Sequence, residues 1–432
     1  MVIIALLFAV ALFAVGRVII RRTAVGDPWL NKALTVCLLL HLVCAPLQIW
    51  VVDHFYGGIA DYIRYDTQGG VLAEGFRHFD FSLAPAQLHG IVSDGSVSIV
   101  TGAVEAIVGV NNQLGAFFVF SWLAFIGILF FYRAFTITFG SAGSRRYGYL
   151  IFFLPSLVFW TSDVSKEALM TFLLGMTAYG SARILAHRGG YLLVIAGSAG
   201  GVFIRPNEVL LALGGFVMAM VARPANPNAQ LQGARRTVAV VVLSSMLAVA
   251  IFVTVHFLPG GSLSLTQISK NNNTGTGAGF GSSNLGYSSS IFAYPKDLYA
   301  VLIDPLPFSA HGGGQLFSAL ENTVLLGVVF ASLRQLRLVP RVALARTYVL
   351  MCAVFTVTFI YAFASLGNAG LIDRERTVML PFFLVLLCIP RAPRHQKPRA
   401  EWELPRRARI ERRRALAALP AGAGRPRRPA RA

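Results

Sequence analysis

Long apolar stretches separated by short polar or charged breaks run through the first 390 residues. A helix that crosses a bilayer needs about 20 predominantly apolar residues, roughly 17 to 25. Such stretches fall at 2–20, 30–52, 113–135, 148–163, 167–186, 190–204, 207–222, 237–258, 318–337, 347–365 and 377–390. The pattern predicts an all-α fold, a polytopic transmembrane helical bundle of about eleven spans occupying 1–390. Two polar segments, 53–112 and 259–317, are long enough to fold over the membrane surface as outer loops. From Arg391 onward the apolar content is too low for a core, so 391–432 is predicted to be a disordered, basic Pro/Arg-rich tail.

Composition sharpens the class. Only 13% of the residues are charged, about half of what a soluble domain carries (about 25%), and the mean hydropathy is +0.63. A soluble enzyme is therefore disfavoured. The net charge of +19 is compatible with a nucleic-acid binder until the charges are placed. Arg17, Arg21 and Arg22 follow the first apolar stretch rather than precede it, unlike a signal peptide, which points to a retained first helix with its N-terminus outside. Threading the eleven spans from there puts 30 of the 38 basic residues inside, fourteen of them in the tail. The outside keeps Arg64, Arg77, Lys166, Arg205, Lys270, Lys296, Arg374 and Arg376, together with fifteen of the nineteen carboxylates. The inner face then carries +26 and the outer −7, as the positive-inside rule expects of a cytoplasmic C-terminus. The excess charge is topology signal and tail, so no nucleic-acid partner is expected. The tail's expected partner is anionic inner-leaflet lipid.

Three of the spans between 148 and 222 are short for a full crossing. Crossing and re-entrant geometries both return the chain to the basic face, and the re-entrant one would put Lys166 and Arg205 at membrane depth. Cys37, Cys44, Cys352 and Cys388 all lie in apolar spans, so no disulfide framework is indicated. No nucleotide-binding loop, zinc spacing or nucleophile elbow is present.

Candidate chemistry gathers at the outer ends of the spans. Asp53, Asp61 and Asp66 open the first outer segment, among Tyr56, Tyr62 and Tyr65. Carboxylates at a membrane mouth can act as general bases or hold a divalent cation, or simply be solvated loop charges. The segment 155–167 ends an apolar run with Trp160, then places Asp163, Lys166 and Glu167 before the next. Lys166 suits an anion or a local pair with Asp163. In 204–208, Pro206 and Glu208 follow helix-start logic, whereas Arg205 offers a planar fork suited to phosphate. Arg376, in a four-charge run before the last span, is a further anion ligand.

In layout over 1–390, and at Asp53, Asp61 and Asp66 with the 155–167 and 204–208 segments, the chain resembles bacterial integral-membrane glycan enzymes. It is similar both to GT-C glycosyltransferases and to polysaccharide polymerases of the cell envelope. The resemblance implies a multi-pass bacterial plasma-membrane enzyme acting on a lipid-linked sugar donor and a glycan acceptor. Asp61 or Asp53 would be the catalytic or cation-binding carboxylate, with Lys166, Arg205 and Arg376 near the lipid phosphate. Tyr56, Tyr62, Tyr65 and Trp160 would stack on sugar rings. The polymerases typically work without metal on polyprenyl-diphosphate-linked repeats. The chain departs from the glycosyltransferase pattern in lacking the paired acidic signature and a sizeable soluble C-terminal domain. Other classes that fit the span pattern are a transporter or flippase, and a non-catalytic membrane scaffold.

Overall fold

The computed structural model describes residues 1–55, 58, 60–88, 92–223, 244, 298, 299, 301–308, 313–363 and 369–390. The expected span 237–258, the tail 391–432, Tyr56 and most of the 259–317 segment lie outside the described residues.

Among the described residues four helices are long and apolar enough to cross a membrane: α1 (Val2–Thr23), α2 (Pro28–Phe55), α6 (Gln113–Phe139) and α9 (Lys166–Leu185). Between α2 and α6 lie α3 (Asp61–Arg77), the single turn α4 (Ala84–Gln87) and α5 (Val92–Val108). Then follow α7 (Ser144–Phe153), α8 (Pro155–Phe159), α10 (Tyr191–Ile204) and α11 (Pro206–Val221). After the 224–312 region come α12 (Gly313–Ala331), α13 (Leu333–Leu336), α14 (Val339–Ala345), α15 (Thr347–Phe363) and α16 (Ala369–Leu387). The described residues are helical with no strands. They belong to one compact unit, Met1–Pro390.

Side-chain size decides the layering. α6 and α9 form the centre, and they approach until backbone meets backbone. A Cβ on Gly127 would lie 2.3 Å from the Thr171 carbonyl oxygen, and one on Gly175 would lie 2.5 Å from the Gly127 oxygen. Small residues at a crossing allow this approach, and dispersion then holds helices that lipid would otherwise solvate equally well. α1 and α2 sit outside that core. Ile3, Leu7, Val10, Val43 and Trp50 are exposed on them, which fits a surface facing hydrocarbon rather than water.

One expected span is corrected by its proline. The stretch 148–163 is not one helix: α7 already begins at Ser144 and ends at Phe153, and Leu154 is extended (φ −67°, ψ 122°) before Pro155 starts α8. Proline disfavours helical backbone in the residue before it and fits the first helical position. The same rule breaks the chain at Arg205 (φ −145°, ψ 83°) ahead of Pro206. At 14 and 16 residues, α10 and α11 rise only about 21 and 24 Å, against a hydrocarbon core of about 30 Å. Glu321 of α12 accepts from Ser156 N (2.7 Å) and from the Ser156 hydroxyl, capping α8 from a distant part of the chain.

Candidate functional site

The first turns of α3, α9 and α11, the start of α5 and the second turn of α16 converge on one group of charged side chains. A cap and a proline fix two of these helix starts. Ser165 accepts from Ala168 N at 3.2 Å and sets the first residues of α9, Lys166 and Glu167. Pro206 places Arg205 at the break and Glu208 in the first turn of α11.

Arg205 is the hub. Its guanidinium donates to Glu167 and Glu208, both at 2.8 Å, and to Glu375. Arg374 donates to the other oxygen of Glu167 (3.3 Å) and to Asp61 (3.0 Å). This half of the group sets four carboxylates against two guanidinium groups. Asp61 is its open end, with a side chain 61% exposed, whereas that of Glu167 is 1% exposed. Asp163 lies close enough to Arg374 to feel its charge, and its Oδ1 is buried without a hydrogen bond.

The other half has the opposite balance. Asp94 takes Lys166 (2.5 Å) and Arg64 together, and accepts from the Tyr65 hydroxyl at 3.2 Å. Burial pushes the Asp94 carboxyl up, but Lys166 and Arg64 outweigh it and hold the group below its ordinary range. Two cations share one carboxylate here. Arg64 is half exposed and Lys166 about a quarter exposed, so their remaining donors reach the surface. Asp61 and Arg64 are three residues apart, on one face of α3, which puts the two halves at one mouth.

The chain matches no protein-family model, no curated protein and no solved structure.

The sequence grouping of aspartates does not survive as a unit. Residues five apart on a helix point about 140° apart, so Asp66 leaves Asp61 and turns toward α5. There it lies within hydrogen-bonding reach of the fully buried Glu105 and accepts from Gln113 Nε2 at 3.4 Å. Burial first, and then Asp66, push the Glu105 carboxyl up to about 8. Asp53 is exposed near the end of α2.

Tyr62 and Tyr65 are corrected as sugar-stacking rings. Both are buried, Tyr62 edge-on against Phe117 (centroids 4.9 Å), so neither offers a ring face. Burial and then Asp53 push the Tyr62 phenol up to about 12. Trp160 keeps a partly exposed ring beside Phe159. Arg205 holds three carboxylates where a phosphate was expected, and Arg376 is buried. Sequence reasoning passed over Asp94, Glu105 and Glu375 as partners. The available signal was helical spacing: Asp94 and Glu105 are eleven residues apart, about three turns on one face of α5. Among the described residues no three His, Cys, Asp or Glu side chains are placed to hold a metal ion, so the divalent cation allowed for at Asp53 and Asp61 finds no ligand set there.

Proposed function

We propose that the chain is a multi-pass enzyme of the bacterial plasma membrane, with its N-terminus outside and C-terminus in the cytoplasm. It transfers a sugar from a polyprenyl-phosphate-linked donor to a glycan acceptor at the outer face. The observation that carries this reading is the mouth where exposed Asp61, held by Arg374, stands on the same face of α3 as Arg64, which shares Asp94 with Lys166. A lipid-linked donor keeps its tail in the bilayer and its phosphate at headgroup level. Arg64 and Lys166 bind that phosphate and neutralise it as it leaves. Asp61 takes the proton of the acceptor hydroxyl as the new bond from oxygen to the anomeric carbon forms and the bond to phosphate breaks. Trp160 is the remaining aromatic face for the sugar. No step is assigned to a metal ion.

The outer placement draws on the charge partition, whose about eleven spans count the short helices α10 and α11 as two, whether the pair crosses fully or is re-entrant. The second reading, a metal-independent polymerase acting on polyprenyl-diphosphate-linked repeats, draws on the concentration of guanidinium groups from Arg64, Arg205 and Arg374 at one place.

Full-length protein in nanodiscs, supplied with a panel of polyprenyl-phosphate and polyprenyl-diphosphate sugars, tests both. Transfer from monophosphate donors that falls at least about a hundredfold in Asp61→Asn, with folding intact, supports the first. Strict dependence on diphosphate donors selects the second. Full transfer by Asp61→Asn, Asp53→Asn and Lys166→Gln alike would refute the site.

A further inference from the structure

The opposite end of the same helices holds a cavity that the proposed reaction does not use. It has a volume of about 470 Å³ and opens where the last turns of α6 and α9 meet the start of α15 and the residue two beyond α11. Lys166 and Leu185 bound α9, so at 1.5 Å per residue this cavity lies about 28 Å from the charged mouth. Arg346, Arg223, His187, Thr347 and Tyr348 line it beside an apolar wall that includes Leu185. None of the described residues lining it is Asp or Glu.

Two features point to one ligand chemistry. Arg346 donates to the Thr138 carbonyl oxygen and lies 5.2 Å over the Phe139 ring, so its guanidinium is fixed by a neutral oxygen and a ring face. Its fork keeps further donors and its full charge, unlike Arg205 with three carboxylates. Next, α15 is a 17-residue helix whose first residues, Thr347 and Tyr348, line the cavity, so its amide-rich end adds partial positive charge. On the rim, Arg223 donates to His187 Nε2 at 3.3 Å, adding a second guanidinium on the same side. The volume falls within the range of roughly 300 to 1,000 Å³ that holds small ligands.

We infer that this cavity binds a phosphate group, with Arg346 and the start of α15 as its principal donors. The inference is independent of the sugar-transfer reading. Phosphate chemistry has two sources here, the headgroup of an anionic phospholipid and a soluble phosphate compound.

Full-length protein in phosphatidylcholine nanodiscs is titrated with inorganic phosphate and pyrophosphate, following its melting temperature. In parallel, native mass spectrometry counts phosphatidylglycerol retained after exchange from mixed nanodiscs. A saturable rise in melting temperature with phosphate or pyrophosphate, absent with chloride, identifies a soluble ligand. Retained phosphatidylglycerol without that rise identifies a headgroup. In either case Arg346→Gln weakens binding at least about tenfold, as expected for one lost charged hydrogen bond, and Arg346→Lys retains part of it. Because Arg346→Gln also removes a bond to α6, Ala186→Phe provides a second variant, filling the cavity from the end of α9 and leaving both arginines in place. It abolishes binding if the site is this cavity. Neither phosphate nor lipid binding in the native chain, or binding unchanged in Ala186→Phe, overturns the inference.

Discussion

Replacing Arg205 by methionine separates a structural hub from a substrate ligand. In the fold Arg205 carries Glu167, Glu208 and Glu375 at once, and all three are buried. Methionine matches the length of the stem and removes the charge. Glu167 keeps Arg374, while Glu208 and Glu375 lose the guanidinium they share. Removing one partner from a buried ion pair costs about 3–5 kcal/mol, because the abandoned charge stays out of water. At about 2 °C per kcal/mol for a large domain, the melting temperature falls by about 6–10 °C. Tryptophan fluorescence during heating in nanodiscs reads this directly. Glu208→Gln removes one carboxylate from the four that face two guanidinium groups, so it costs far less than Arg205→Met. The double variant is more stable than Arg205→Met alone, the mark of a direct coupling. A melt within about 2 °C of the native protein, combined with lost affinity for a polyprenyl phosphate, would refute the reasoning and restore Arg205 as a phosphate ligand.

The Asp66–Glu105 pair makes the packing of α3 on α5 sensitive to pH. Glu105 is raised to about 8 in the fold from an ordinary 4.5, so this contribution to stability is complete below about 4.5 and is lost as pH rises through about 8. Amide exchange over 61–108, corrected for its intrinsic pH dependence, slows at pH 5 relative to pH 9, and Glu105→Gln removes the difference. Gly175→Leu drives a side chain into the Gly127 backbone and prevents α6 and α9 from closing, seen as loss of a monodisperse protein on size exclusion. If the proposed reaction holds, Lys166→Gln lowers kcat as well as raising the donor KM, because the Lys166 charge would both bind the phosphate and neutralise it as it leaves. Single cysteines at Arg22 and Asp61 in a cysteine-free background react with an impermeant maleimide from opposite sides of the membrane. Labelling from the same side refutes the orientation.

Residues whose role is set by local chemistry were legible in the chain. Pro206 starts a helix and Glu208 sits in its first turn because those placements depend on near neighbours. The long apolar runs 30–52 and 113–135 return as α2 and α6, since burial or lipid exposure leaves such a run no alternative to helix. The expected span 148–163 failed at Pro155, where one backbone preference outweighed hydropathy. Charge partners were the least legible part. Arg205 and Glu375 are 170 positions apart, and nothing in either segment reveals the other. An isolated guanidinium in sequence reads as a ligand site, and only the fold shows that carboxylates already occupy its fork.

The glycine crossing of α6 and α9 has a mechanical consequence. Gly175 is nine residues from Lys166 and ten from Leu185, so the tightest grip on α9 falls near its middle, about 14 Å from either end. A stiff rod held at its midpoint behaves as a lever of equal arms. Any tilt of α9 that shifts Lys166 sideways moves the Leu185 end by a similar distance the other way. Spin labels at the two ends would report opposed displacements in the presence of a lipid-linked sugar, whereas movement of one end alone would mean that the helix bends instead.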